Sequence, residues 1–589
     1  MNKQEADILN AIMQDSIVNQ RILAETTGYS LGVVNKSLHK LIDQGYIQED
    51  CKLTEKAREK IKKAAPQSAI ILAAGIGMRM VPLNTQTPKA LIEVNGEILI
   101  ERLLKQLHEV GITEIYIVVG FLKEEFEYLI DEYGVKLIVN EEYATKNNLH
   151  SLFLATAYLG NTYIMPCDIW CNRNPFNKYE LYSWYMVTDT PDRHSDVRVN
   201  RKQQLVYTEK EEMGNRMIGI AYLSCEQAQR VKEQVERLDK LAGYQETFWE
   251  EALYDKDRMI VSARVVGDSD YVEINTYEQL RELDENSNTL KTDAMNAITT
   301  ALQVSPSEVT DITVLKKGMT NRSFLFRCRD RKYIMRIPGE GTAQLINRNE
   351  EAEVYTVLQG KGICDDIVYM NPQNGYKITR FLEGARVCDS TQEADVRACM
   401  GKLREFHSQN LKVTHVFDIF KQLEFYESLW DGKPSIFRDY DTTREKVFIL
   451  KRYIDTQKKE CCLTHIDAVP DNFLFTADGT IRLIDWEYAG MQDPHVDIAM
   501  FCIYSLYKKE QVDHLIDLYF EGNCDDRTRI KIYCYIAVCG LLWSNWCEYK
   551  RKLGVEFGEY SLRQYRYAKD YYKIVQQELG EEGKETCTK

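Results

Sequence analysis

No CxxC pair occurs among the sixteen cysteines of this 589-residue chain, and several of them, as in residues 533–542, sit inside apolar segments. That excludes a zinc ribbon or a dithiol redox motif and points to reduced thiols rather than disulfides. Basic excess is lacking too. The formal net charge of -15 argues against general affinity for nucleic acid or an anionic membrane surface. No signal peptide opens the chain and no apolar run approaches the roughly 20 residues of a membrane span, so a cytoplasmic location is expected. There is also no internal repeat and no low-complexity tract, which removes solenoids and disordered arrays. What is present is length. At 44% hydrophobic residues the chain can pack several cores and exceeds an ordinary single one. Three domains are expected, over residues 1–65, 67–290 and 291–589, with short linkers near 64–68 and 284–292.

Residues 463–490 read LTHIDAVPDNFLFTADGTIRLIDWEYAG. Asp467 opens a short loop, Asn472 follows five residues on, and Asp485 returns after two strands joined at Asp478-Gly479. ATP-dependent phosphoryl transfer needs this spacing: a carboxylate to accept a hydroxyl proton, and an Asn and an Asp to hold Mg2+ against the phosphates. Chance gives the bare HxDxxxxN pattern in roughly a few per cent of such chains. The hairpin that brings Asp485 back beside Asp467 lowers that further.

From about Asp293 onward the chain resembles the choline kinase and aminoglycoside phosphotransferase family, whose fold is that of protein kinases. The resemblance implies Asp467 as catalytic base, Asn472 and Asp485 as magnesium ligands, and Arg336 as the cation at the ATP phosphates. Its acidic partner is expected in the next helix, at Glu351 in preference to the adjacent Glu350. Residues 315–326 (LKKGMTNRSFLF) read as strand, turn, strand, with Gly318 letting backbone N–H groups approach phosphates, and 378–384 (ITRFLEG) as the hinge that meets adenine. Trp543 and Trp546 lie three apart in a stretch, 532–550, that reads as a helix, so both indoles share one face. On pattern alone two such Trp fill core. The resemblance instead implies a WxxW pair presented to choline, whose quaternary ammonium is held by aromatic faces. Tyr560 and Tyr565 are candidate further walls.

A second phosphate-handling segment, residues 68–91, reads SAIILAAGIGMRMVPLNTQTPKAL. An apolar strand feeds a loop with Gly75 and Gly77, where backbone can approach phosphates closely, and Arg79 and Lys89 add two cations for a triphosphate. Strands and helices then alternate, which predicts a doubly wound α/β domain with its ligands at the carboxyl ends of the strands. The segment resembles nucleotidyltransferases that join an NTP to a phosphorylated small molecule, over about residues 67–290. Within them ITEIYIVVGFLKEEFEYLI, NEEYATKNNLHSLFLA and FWEEAL resemble the bacterial phosphocholine cytidylyltransferases. That resemblance implies Asp168 and Asn275 as metal positions, with Asn at 275 where those enzymes usually show Asp. It also implies Asn147, Asn148 and Ser151 near base and ribose, and Phe248, Trp249 and Glu273 at the choline head. An aromatic expected between His194 and Arg198 is missing.

Residues 1–65 carry three apolar-periodic helical stretches and a short wing, and look like the winged helix-turn-helix of MarR-like regulators. DNA recognition would place Asn35, Lys36, His39 and Lys40 in the major groove. With ten Lys/Arg against nine Asp/Glu the segment lacks a basic footprint, so DNA is a candidate partner and a docking module is the alternative.

The whole reads as a multidomain α/β and α+β transferase using Mg2+. It would turn choline and ATP into phosphocholine, then phosphocholine and CTP into CDP-choline. The competing readings are an ethanolamine, amino-alcohol or sugar kinase fused to a matching nucleotidyltransferase, and a ligand-sensing transcription regulator.

Overall fold

The structure is a computed structural model describing residues 1–14, 19–85, 87–208, 213–241, 243–315, 321–339, 342, 345–553, 555 and 557–585. The chain folds into two compact units, Met1–Asn296 with Ile312–Val314, and Ala297–Asp311 with Leu315–Lys589.

The first unit opens with helices Lys3–Gln14, Gln20–Thr27 and Leu31–Asp43. Asn19 and Ser30 accept backbone N–H bonds at the starts of the second and third, as N-caps do. Apolar residues at helical spacing, among them Ile8, Leu9, Leu23, Val34, Leu38 and Leu41, close a small core, and Ile47 pairs with Leu53 as the wing. This module docks on the rest of the unit: Tyr182 donates to Asp7 at 2.7 Å, beside the module's own Tyr29 at 2.6 Å, and Lys3 Nζ donates to the Ala263 carbonyl at 2.9 Å.

Beyond it lies a ten-stranded sheet. Lys136–Val139, Glu114–Val119, Ser68–Ala73 and Thr162–Pro166 run parallel. The sheet continues through Gly214–Leu223, antiparallel to its neighbours, then Trp184–Asp192 and Arg258–Val266. Every residue of Ser68–Ala73 is buried, because alternate side chains feed opposite cores. Ala69, Ile71 and Ala73 pack with the helix Leu99–Glu109, while Ile70 and Leu72 pack with Asn148–Leu154 and Cys225–Leu238. Two-sided burial produces the unbroken apolar run in the sequence.

The second unit has an antiparallel ladder of Asn321–Cys328, Arg331–Pro338, Tyr376–Arg380 and Ile367–Asn371, with the helix Arg348–Leu358 after the second strand. The strand expected to start at Leu315 is instead Val309–Val314; its buried Val309 and Ile312 are three apart, so no strand alternation marks it in the sequence. Gly318 lies outside the described residues. The remainder is helical around Asp526–Lys552, which packs on Glu559–Glu585. A Cβ at Gly540 would come within 2.7 Å of the Gln564 carbonyl, so only glycine permits that approach. The expectation that no apolar run is long enough to span a membrane is corrected here. By length and composition Asp526–Lys552 is such a helix, since its charges gather at its two ends, but its apolar window is entirely buried inside the unit, as in a core helix.

Candidate active sites

In the second unit the strand Cys462–Thr464 delivers His465, Ile466 and Asp467 into a tight loop. Ile466 has φ 71 and Asp485 has φ 66, a left-handed backbone that is an outlier for a β-branched residue and costs on the order of 1–3 kcal/mol at each position. Asp497 holds the loop: its carboxylate accepts from the His465 and Ile466 N–H groups at 3.0 and 2.7 Å. His407 lies 2.9 Å from Asp497 and 2.8 Å from the Tyr519 hydroxyl. Burial lowers His465 to about 4, so its imidazole is neutral, and its Nε2 donates to the Ile484 carbonyl at 2.9 Å. That bond ties the Asp467 loop to the Asp485 turn. Asn472 Nδ2 donates to the Asp467 carbonyl and carboxylate at 2.8 and 3.2 Å. Burial, with Asp485 and Glu487 nearby, pushes the Asp467 carboxyl well above the usual range.

Arg336 meets Glu351 with both terminal guanidinium nitrogens, Nη2 at 2.8 Å, and Arg348 joins the same carboxylate at 2.8 Å. Glu350 instead borders a separate surface cavity. A cavity of about 420 Å³ is lined by Ile334, Arg336, Lys377, Thr379 and Asp485, by Trp543, Trp546, Tyr504 and Tyr560, and by Asp467 and Asn472. Trp543 and Trp546 cross at 77° with centroids 5.5 Å apart, and Tyr488 meets Trp543 edge-on at 5.6 Å. Tyr565 is elsewhere, stacked on Phe437 at 3.8 Å and bonded to Asp439 and Thr443.

In the first unit a cavity of about 500 Å³ opens at the carboxyl end of the parallel strands and brings together Arg79, Lys89, Asn148, Asp168, Phe248, Trp249, Glu273 and Asn275. Lys89 bridges Asp168 and Asn275, at 2.8 Å from the Asn275 oxygen, which also accepts from Arg79 at 3.0 Å. The left-handed Gly77, φ 65, lets the Lys89 stem pass 3.4 Å from where a Cβ would stand; Gly75 has open space around it. Asn148 accepts from the Trp249 N–H at 2.8 Å. Asn147 caps the following helix and Ser151 is buried against Asn140, so neither is among the cavity walls. Trp249 is 1% exposed, whereas Phe248 is 61% exposed at the rim.

Sequence reasoning missed Glu250. It accepts from the Tyr185 hydroxyl at 3.0 Å, its other oxygen is buried without a partner, and burial, with Glu273 adding to it, pushes it up to about 7. Its place beside Trp249 was the available signal. Asp497 and His407 carried none, being 30 and 60 residues from the loop they hold.

Both centres offer hard oxygen donors. One oxygen of Asp168 is buried without a partner while the other is met by an ammonium, and Asp485 and Asn472 face one cavity. Among the described residues no group of three His, Cys, Asp or Glu side chains is arranged to hold a metal ion. Two protein oxygens per centre, with phosphates and water completing the shell, is the arrangement Mg2+ favours.

Each of the three regions has known relatives. Family models match residues 1–48 as winged helix-turn-helix DNA-binding, 69–176 as the MobA-like NTP transferase domain and 312–523 as choline/ethanolamine kinase. The choline-phosphate cytidylyltransferase of Streptococcus pneumoniae is 31% identical over 232 residues, 37% of this chain and 96% of its own. Protein LicA of Haemophilus influenzae is 29% identical over 259 residues, 42% of this chain and 95% of its own. The crystal structure of choline kinase LicA from Streptococcus pneumoniae shares 28% identity over 47% of this chain and 97% of that one, with a TM-score of 0.43. The chain is thus an enzyme with a nucleotidyltransferase and a kinase in one polypeptide, preceded by a winged helix. It belongs to the choline-phosphate cytidylyltransferase family, joined to a choline/ethanolamine kinase.

Proposed function

We propose that the second unit transfers the γ-phosphoryl group of ATP to choline and that the first joins the phosphocholine to CTP, giving CDP-choline and pyrophosphate. The observation that carries this is the aromatic lining of the kinase cavity. Trp543, Trp546, Tyr504 and Tyr560 share it with Asp467, so a cation that cannot donate a hydrogen bond is held by ring faces with its hydroxyl near the candidate base. Asp467 accepts the hydroxyl proton; a carboxyl raised by its surroundings is the better acceptor near neutral pH. Arg336, oriented by Glu351, faces the ATP phosphates. In the first unit Lys89 and Arg79 meet the CTP phosphates, Asn148 the nucleoside, and Trp249, Glu250 and Glu273 the head group. Mg2+ at Asp485 and Asn472, and at Asp168 and Asn275, would offset phosphate charge.

The domain limits 1–65, 67–290 and 291–589 and a cytoplasmic location belong to the same reading. The winged helix presents Asn35, Lys36, His39 and Lys40 on an exposed face, and a gel shift with DNA upstream of the gene tests that face. Incubation with choline, ATP, CTP and Mg2+, followed by mass analysis, should give phosphocholine and then CDP-choline. Exclusive turnover of ethanolamine or a sugar under the same conditions would replace the substrate assignment.

A further inference from the structure

Lys377 is buried in the kinase cavity and no motif called attention to it. It stands directly across the ladder from Arg336, so the two side chains project from the same face of the sheet. Like charges opposed in this way are destabilising, and both are only 5% exposed, which makes the pair costly unless the surroundings compensate it. Glu351 is part of the compensation, with an oxygen 3.7 Å from Lys377 Nζ. That carboxylate is already bonded by Arg336 and Arg348, and Glu487 faces the same two arginines at 3.8 and 3.3 Å.

Three cations therefore share Glu351 and Glu487, and the two arginines take the short contacts. The Lys377 charge is the least closely matched by these two carboxylates, because its hydrogen bond goes to a neutral group, the Tyr355 hydroxyl at 2.6 Å, and an ammonium has three donors. On the cavity side the groups available to it are Asp485 and Asp365, the latter with a buried oxygen that has no partner. Tyr355 and Glu351 lie one turn apart on the helix Arg348–Leu358, so Lys377 bonds one and attracts the other. Glu351 is consistent with this: burial alone would raise it, yet Lys377, Arg336 and Arg348 hold it at about 2.

We propose that Lys377 is a positioning residue of the phosphoryl-transfer centre, holding the Glu351 helix against Arg336 and presenting a compensating charge to Asp485 so that both face the ATP phosphates. The inference rests on the kinase reading above. Its test is Lys377→Met and Lys377→Arg in the full chain. With Lys377→Met, choline phosphorylation should fall at least about tenfold in kcat/KM for ATP, with KM for choline unchanged. ADP affinity by calorimetry should fall about tenfold while adenosine affinity stays constant, since only the phosphate end is disturbed. Lys377→Arg should restore part of both. Equal loss of ADP and adenosine binding, or no loss of either, would overturn the proposal and leave Lys377 a packing residue. Failure of the parent protein to phosphorylate choline would instead overturn the kinase reading.

Discussion

Replacing Trp543 tests the head-group pocket at its best-defined wall. Its ring is fixed by Trp546 at 77°, by Tyr488 at 88° and by its Nε1 at 2.8 Å from the Met500 sulfur. Trp546 is a poorer choice because Lys550 Nζ already stands 5.7 Å from its ring. A desolvated indole face contributes on the order of 1–2 kcal/mol to holding a quaternary ammonium, so Trp543→Leu should raise KM for choline about five- to thirtyfold. Leu also leaves a void, since Trp543 is only 7% exposed, and stability should fall by on the order of 2 kcal/mol. A simple activity loss therefore decides nothing; the ratio decides. Initial rates with choline and with ethanolamine, measured for the parent, Trp543→Leu and Trp543→Phe, should show the choline preference shrinking with Leu and partly retained with Phe, while KM for ATP holds. Parallel loss with both substrates, tracking the fall in Tm, would refute the pocket and return Trp543 to the core.

Asp467→Asn should lower choline phosphorylation by about 10²-fold or more, with CDP-choline synthesis from supplied phosphocholine intact; full kinase activity would remove the base assignment. Lys89→Ala takes away the ammonium between Asp168 and Asn275 and should slow cytidylyl transfer by a few kcal/mol in the barrier, on the order of other charge-stabilising groups, a loss that steady-state rates with CTP would register. Glu250, raised to about 7 by burial, is neutral below that pH, so KM for phosphocholine should climb as pH falls from 8 to 6. Glu250→Gln should give a high KM with a flatter profile, the remaining slope being that of the substrate phosphate, which titrates near pH 6. A raised carboxyl makes the folded state bind protons more tightly than the unfolded one, so this group adds stability as pH falls, and unfolding through it does not imitate the effect. Identical pH profiles for parent and variant would remove Glu250 from the head-group site.

Elements with a local signature were readable. Asp467, Asn472 and Asp485 share 19 residues of chain, and the turn that joins their strands is written in Asp478-Gly479; the structure places all three on one cavity. The run 68–73 announced a strand because both of its faces are buried. Groups recruited from a distance were not readable. Asp497 acts on His465 and Ile466 through backbone N–H groups, which leave no residue-type signature at the receiving end. The long helix Asp526–Lys552 was read only over its apolar middle, because Arg527, Arg529 and Lys531 break the pattern in its first turns. Tyr565 and Tyr560 are five apart on one helix, a rotation of about 140° at 3.6 residues per turn. One therefore reaches the cavity while the other packs on Phe437.

The two cavities also constrain each other. The kinase product keeps the head group of its substrate and gains a phosphate, so a transferase that consumes it must accept the same cation. The transferase cavity has Trp249, Tyr185 and Tyr254 as aromatic walls with Glu250 and Glu273 among them. The kinase cavity has Trp543, Trp546 and Tyr560 with Asp467 and Glu487. Where an aromatic is missing between His194 and Arg198, Tyr185, Tyr207 and Tyr254 line the cavity from other strands, the last two stacked at 4.1 Å. Ring faces serve a trimethylammonium, which cannot donate hydrogen bonds, better than a primary ammonium, which would leave its N–H groups unsatisfied against them. On the proposed reading, two unrelated folds in one chain arrive at one recognition chemistry, as a shared head group requires.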